Sequence, residues 1–308
     1  MNETMIILTL GPLTLTYYSA LLALSAALGC AATVIAGKKR LGTSASLSLC
    51  LSVLLGAVLG ARLVYSTTML DSILVDFGGL SFIPRLWEGG FTLYGAILGG
   101  LIAAAIYCKV TKHKLTQALD SLAPGAALTL CLVRAAEYFT SQGLGDYIEE
   151  EVWQRFPFAV EGVSGAWQMP VFLYEAVAAA IIFFVVLRVL RHGRDGRACE
   201  VFLILVSVTQ ILLESWREDE FIRFGFVRWN QLAAAITLGV LLFLSLRRMV
   251  KAHGWTAWQI ARIVLFVLCI AMVILIEFAL DKSPIDNTLL YAVMALTLCV
   301  MGFVMLKE

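Results

Sequence analysis

Apolar residues run along this chain in long blocks rather than in alternation. Five blocks carry no charge and reach the roughly 20 residues that cross a bilayer as a helix: residues 4–37, 41–61, 89–108, 229–246 and 287–306. Four more, 115–136, 170–190, 199–216 and 259–280, qualify once an ionisable residue or two is allowed. The pattern therefore predicts nine spanning helices. Two connections, 67–88 and 137–169, are too long to be simple turns. The second carries Trp153, Phe156, Pro157, Phe158 and Trp167, and aromatics of this kind favour the headgroup layer. It is expected to fold as a small extracytoplasmic head lying on the outer leaflet. After residue 248 the pattern changes. The last two spans hold a single acid, Glu277, and read as plain lipid-facing helices added to a core over residues 1–248.

Composition sharpens this picture. Of 308 residues, 60% are hydrophobic and 15% charged, against about 25% charged in a soluble domain, and the mean hydropathy is +0.88. These values point to an all-α polytopic membrane protein and exclude a disordered chain, a nucleic-acid binder and an ordinary cytosolic enzyme. The net charge of +1 signals no polyanionic partner. The basic residues orient the chain. Lys38, Lys39 and Arg40, then Lys109, Lys112 and Lys114, then Arg188, Arg191, Arg194 and Arg197, then Arg247, Arg248, Lys251 and Arg262, and finally Lys307 fall in every second connection. By the positive-inside rule those connections are cytoplasmic, with the N-terminus outside and the C-terminus inside. The remaining connections hold Asp71, Asp76, Asp146, Glu149, Glu150, Glu151, Glu161, Glu218, Asp219 and Glu220. The seven cysteines contain no C-x-x-C pair and read as small buried hydrophobes. Leu28 spoils the lipoprotein-like box that ends at Cys30, so the first span reads as a retained helix and not a cleaved signal.

Ionisable residues inside spans cost roughly 2.5–3.5 kcal/mol each at the helix centre, which makes them functional candidates. Asp120 and Glu200 lie toward the cytoplasmic side. Arg62, Arg134, Glu137, Glu175, Glu214, Arg217 and Glu277 lie toward the outer ends of their helices. Arg134 and Glu137 are spaced i, i+3 and share a face. Gln210, Glu214 and Arg217 follow at i, i+4, i+7. Structural ion pairs are one reading of these groups. The other is that Arg62, Arg134 and Arg217, from three helices at similar depth, converge on a phosphate, the natural ligand of guanidinium forks. His113, His192 and His253 are all on cytoplasmic connections. No metal-ligand, D-x-D or P-loop string is present, so no metal or cofactor is expected.

The string Arg85-Leu86-Trp87-Glu88-Gly89-Gly90-Phe91-Thr92-Leu93-Tyr94-Gly95 resembles the R-x-W-[DE]-G-G-x-x-x-[HY]-G of the prolipoprotein diacylglyceryl transferases. Further matches follow the family's order. They are Gly11-Pro12 and Tyr17-Tyr18, Gly60-Ala61-Arg62-Leu63-Val64-Tyr65, Asp120-Ser121-Leu122-Ala123-Pro124, Arg134, Phe156-Pro157-Phe158-Ala159, Pro170-Val171-Phe172-Leu173-Tyr174-Glu175, Glu214-Ser215-Trp216-Arg217-Glu218-Asp219 and Gln231. The resemblance covers about residues 6–248 and implies a seven-helix core with its N-terminus outside, to which the two C-terminal helices are an addition. Every family-like string ends before Arg248, so those two helices are expected to be dispensable.

The resemblance implies a bacterial plasma-membrane enzyme acting at the outer leaflet. It would transfer a diacylglyceryl group from phosphatidylglycerol to the lipobox cysteine thiol in the signal peptide of a preprolipoprotein. Its partners would be those two substrates and membrane lipids, with no nucleic acid. By the same resemblance Arg134 and Tyr94 are candidate catalytic residues. Glu137 is a third candidate. It stands where the family has an asparagine, and it either pairs with Arg134 in competition with phosphate or serves as the base that a thiol attack requires. Arg134, Arg62, Arg217, Tyr18, Gln142, Gln210 and Glu214 would bind substrate. Where the family's signature reads G-N-F-x-N-x-E-x-x-G, this chain has Ala136-Glu137-Tyr138-Phe139-Thr140-Ser141-Gln142 before Gly145. Gln210 stands for the family's second arginine and Met169 for a histidine. These departures leave open a member that binds lipid or lipoprotein without catalysis, or one with a different donor lipid.

Overall fold

The computed structural model describes residues 6–10, 13–75, 79–86, 89–140, 142–162, 165–218, 223–224 and 227–307. Of the residues singled out above, Gly11, Pro12, Asp76, Trp87, Glu88, Ser141, Asp219 and Glu220 lie outside them. The elements run β1 (Ile6–Leu10), β2 (Leu13–Thr16), α1 (Tyr17–Gly37), α2 (Thr43–Thr68), α3 (Leu70–Val75), α4 (Leu93–Thr111), α5 (Leu115–Ala136), β3 (Leu144–Tyr147), β4 (Val160–Glu161), β5 (Trp167–Pro170), α6 (Val171–His192), α7 (Arg197–Ser215), β6 (Arg223–Phe224), β7 (Val227–Arg228), α8 (Trp229–His253), α9 (Ala257–Lys282) and α10 (Asn287–Leu306). Among the described residues nine helices are long and apolar enough to cross a membrane, in the order the hydrophobic blocks predict. The chain is an all-α multi-pass membrane protein. It divides into two compact units, Met1–Gly143 with Ala176–Cys199, and Leu144–Glu175 with Glu200–Glu308. Residues 249–308 fall inside the second unit.

In the first unit, the helix expected over 4–37 begins only at Tyr17. Residues 6–16 instead pair as an antiparallel hairpin, β1 on β2, with Leu10 opposite Leu13. Thr16 sets the boundary. Its backbone is extended, its Oγ1 accepts from Ser19 N at 3.2 Å, and Ser19 Oγ donates to its carbonyl at 2.9 Å. Such a cap satisfies donors that a helix start otherwise leaves open.

Small residues then let helices approach closely, as apolar attraction between helices is weak in lipid. Gly56 and Gly60 of α2 lie against Gly95 and Gly99 of α4, and a Cβ on Gly60 or Gly99 would overlap the facing backbone. Gly29 of α1 meets Gly125 and Thr129 of α5 in the same way. At the opposite end, Asp120 (1% exposed) accepts from Gly196 N at 2.7 Å and Cys199 N at 3.1 Å, capping the start of α7. Arg40 bonds Asp120 at 3.1 Å and donates to the Leu190 carbonyl near the end of α6 at 3.0 Å. An anion thus sits at a helix start and a cation at a helix end, as the helix dipole favours.

The cysteines are not all small buried hydrophobes. Cys30 and Cys50 are disulfide-bonded, joining α1 to α2 with a Cα separation of 5.8 Å, and Cys299 is exposed. Each bonded cysteine stands seven residues from the end of its helix nearest the intervening turn. An antiparallel helix pair places such positions side by side.

In the second unit, three strands form an antiparallel sheet in the order β3-β5-β4, with Val160 and Tyr147 both opposite Gln168. β6 and β7 form a short hairpin ahead of α8. α7 is the most buried of the candidate spans. The two added helices are not plain lipid-facing rods. α9 buries Gln259, Arg262, Cys269, Val273, Ile276 and Glu277, and α10 buries a stripe through Leu290, Met294, Leu298, Met301 and Met305. Gly302 faces Val208 of α7. Arg262, read above as a cytoplasmic loop charge, is fully buried. It donates to the Val304 carbonyl at 3.1 Å, to Ser245 Oγ at 3.2 Å and to the Met305 carbonyl at 3.5 Å. It therefore satisfies carbonyls of the last turn of α10, which have no partner within their own helix, and fastens that turn to α8.

Candidate functional site

In the first unit, α5 ends at Ala136 and carries Arg134 in its last turn, with Glu137 as the capping residue. The i, i+3 spacing brings the two together as predicted: Arg134 Nη1 lies 2.6 Å from Glu137 Oε1. Both side chains are largely buried, at 11% and 6% exposure. A carboxylate at a helix C-terminus faces the negative end of the dipole, so Glu137 depends on Arg134 for compensation. Phe139, in the turn that follows, stacks on Tyr17 with ring centroids 5.6 Å apart. The next residue of α1, Tyr18, is half-buried, and Gln142 is exposed. Tyr94 occupies the first turn of α4 and is 8% exposed. Thr92 starts that helix, its Oγ1 accepting from Gly95 N at 3.2 Å.

Arg62 was expected to face a phosphate, and its placement argues otherwise. It is 2% exposed, and it donates to the carbonyls of Phe82 at 2.6 Å, Ile83 at 2.9 Å, Arg85 at 3.1 Å and Gly90 at 3.3 Å, and to that of Gly89. Its guanidinium also lies 4.5 Å from the Phe82 ring centre. Carbonyls thus take up donors that the sequence reading had reserved for an anion. The reason is local: the carbonyls of Phe82, Ile83, Arg85, Gly89 and Gly90 need donors, and Arg62 is the side chain that meets them. Gly90, at φ +76°, brings its backbone against Arg62 and Tyr65.

In the second unit, Gln210, Glu214 and Arg217 do share one face of α7 and its end, and they are joined by groups from other elements. Arg217 Nη1 pairs with Glu175 Oε2 at 2.7 Å. Gln210 Nε2 donates to Glu214 Oε2 at 2.6 Å and to Glu175 Oε1 at 3.3 Å. Asn230 Nδ2 reaches both oxygens of Glu214 at 3.1 Å. Glu214 thus accepts from two neutral amides, those of Gln210 and Asn230. The backbone joins in: Gly145 bridges Arg217 and Glu218 N donates to the Leu144 carbonyl at 2.9 Å. Arg228 Nη2 donates to the Arg217 carbonyl. Arg228 and Asn230 escaped the sequence reading. Both stand at the mouth of an apolar block, where a polar residue looks like an ordinary helix start. Their one signal is adjacency to Gln231.

A family model described as prolipoprotein diacylglyceryl transferase matches residues 5–247. The phosphatidylglycerol–prolipoprotein diacylglyceryl transferase of Symbiobacterium thermophilum is 35% identical over 54% of this chain and 65% of its own length. The like-named protein of Staphylococcus haemolyticus is 25% identical over 55% of this chain and 62% of its own. That of Oceanobacillus iheyensis is 29% identical over 78% of this chain and 86% of its own. The chain thus spans slightly less than two thirds of the length of the first two relatives.

Proposed function

The chain belongs to the prolipoprotein diacylglyceryl transferase family, and from that premise we propose that it moves a diacylglyceryl group from phosphatidylglycerol to the lipobox cysteine thiol of a preprolipoprotein. The observation that carries this reading is the buried Arg134–Glu137 pair at 2.6 Å, on the one in-span arginine aligned with the family's signature. In the reaction the thiol sulfur bonds to the glyceryl carbon, the bond from that carbon to the phosphate oxygen breaks, and glycerol phosphate leaves. The thiol proton must be accepted, because the thiolate is the nucleophile and a free thiol has a pKa near 8.5. Arg134 takes the phosphate, stabilising the charge that grows on the leaving group. Glu137 holds the guanidinium when substrate is absent and yields it to the lipid. Tyr94 relays the proton, its phenol oxygen accepting it as its own proton passes to the departing glycerol phosphate. Arg62 holds the backbone at Phe82, Ile83, Arg85, Gly89 and Gly90, and Glu175 and Glu214 hold the end of α7. Tyr18 and Gln142 contribute to the entry of substrate.

A bacterium depleted of its own transferase tests the proposal. Expression of this chain should restore growth and shift its lipoproteins to the lipidated mobility on a gel. Unmodified prolipoprotein, in cells where the chain accumulates in the membrane, refutes the transferase reading.

The donor lipid and the signal peptide meet at the outer leaflet of the plasma membrane. On the basic pattern of alternate connections, the N-terminus and the β3-β5-β4 sheet lie outside and the C-terminus is cytoplasmic. Tyr147 is exposed on β3 and Lys251 is exposed near the end of α8. In a Cys299→Ser background, Tyr147→Cys should react with a membrane-impermeant maleimide in intact cells, and Lys251→Cys only after lysis. The reverse pattern overturns the orientation.

A further inference from the structure

We propose that the two C-terminal helices belong to the working core, and that Glu277 of α9 is a positioning residue for Arg217. This rests on the transferase reading for its chemistry and on the second unit alone for its geometry. Glu277 is 9% exposed although it lies in the most apolar of the spans. A carboxylate in such a helix is retained only where donors meet it. The donors come from a family motif position, Gln231, and from Ser215 inside the string that runs from Glu214 to Arg217. Glu277 Oε1 accepts from Gln231 Nε2 at 2.6 Å and from Ser215 Oγ. Ser215 stands between Glu214 and Arg217, in the last turn of α7.

From the two C-terminal helices the contacts lead toward Arg217 by two routes, the first of them through Glu277. Gln231 donates to Ser215 Oγ at 2.9 Å and to the Ile211 carbonyl at 3.3 Å, which ties the start of α8 to the end of α7. Its Oε1 accepts the backbone N–H of Arg228 at 3.1 Å, and Arg228 in turn donates to the Arg217 carbonyl. The second route runs through α10. The Tyr291 ring meets Trp216 edge-on at 5.8 Å, its hydroxyl reaches the Ser215 carbonyl at 3.5 Å, and Ser215 Oγ lies 3.6 Å from Met294 Sδ. Both neighbours of Arg217 on the α7 side are therefore held by side chains from residues beyond 248. The guanidinium itself is on Glu175. Glu277 fixes the backbone from which Arg217 reaches that carboxylate. Spans that the sequence reads as dispensable thus supply the support for a motif residue of the core.

Steady-state transfer from phosphatidylglycerol in mixed micelles to a lipobox peptide, read together with backbone hydrogen exchange of the 211–218 segment, tests this. Glu277→Ala should lower kcat by about 10²-fold, the scale of a misplacement caused by a change far from the chemistry, and leave the KM of the peptide little changed. Glu277→Gln keeps an acceptor oxygen for Ser215 and Gln231 and should recover most of the rate. Exchange over 211–218 should quicken by about tenfold in Glu277→Ala, as for loss of a hydrogen bond to a charged group. The segment that follows Arg134 should not change. If Glu277→Ala fails to accumulate, Ser215→Ala removes the same bond from the other side and should shift both readouts in the same direction by less. Unchanged exchange over 211–218, unchanged kcat, or a loss of kcat that Glu277→Gln does not recover, overturns the proposal. A wild-type chain that transfers nothing sinks the transferase reading instead, and the exchange arm then decides whether Glu277 holds the end of α7.

Discussion

Arg134→Ala is expected to lower diacylglyceryl transfer by about 10²–10³-fold, the usual effect of removing one donor from a developing charge in a dry site, and to weaken phosphatidylglycerol binding in parallel. The guanidinium is largely buried and within 2.6 Å of a carboxylate. In such surroundings an arginine serves a carboxylate or a phosphate, and each competes with the other. Glu137→Asn restores the family's residue and takes away the competitor, so it should tighten phosphatidylglycerol binding and raise turnover. Binding that improves while turnover falls would instead make Glu137 the acceptor of the thiol proton. Arg62→Ala supplies the contrast. Its guanidinium is spent on backbone carbonyls, so that change should lower the melting temperature and the yield of folded protein. Lipid affinity per folded molecule should stay near the wild type. Lipid binding untouched by Arg134→Ala, measured with phosphatidylglycerol vesicles, would remove the phosphate site from this end of α5.

The second large effect is on stability. Arg217→Met should destabilise the protein by about 3 kcal/mol or more, because it leaves Glu175 as a buried charge without its cation. Both side chains are nearly inaccessible, at 9% and 5% exposure. Glu175→Gln should cost less than Arg217→Met, since Gln210 already donates to one of the Glu175 oxygens and an amide preserves that position as an acceptor. The double variant should be more stable than the sum of the two single losses predicts, which is the signature of direct coupling. Melting in detergent, followed by circular dichroism, reads all three. Additive losses would mean that the pair at 2.7 Å contributes nothing beyond its separate packing.

The sequence by itself determined the number and order of the spans, the membrane class and the family, because each rests on local information. Twenty apolar residues make a spanning helix wherever they occur, and a run of short motifs in order needs no knowledge of contacts. It also determined the Arg134–Glu137 pair, since neighbours at i, i+3 on a helix meet without help from the rest of the fold. The tertiary structure decided what depends on partners from distant segments. The start of α1 was hidden because an apolar hairpin and an apolar helix differ only in whether a neighbouring strand pairs. The assignment of Arg62 turned on where the carbonyls of Phe82, Ile83, Arg85, Gly89 and Gly90 lie, and the position of a carbonyl has no signature in the side chains. The Cys30–Cys50 bridge needed the two helices folded back on each other. Glu277 and Arg262 looked like a stray acid and a loop charge, and only packing could show them bonded to Gln231 and to the last carbonyls of α10. A buried charge is tolerated in a membrane helix only with partners in place, and those partners stand tens of residues away along the chain.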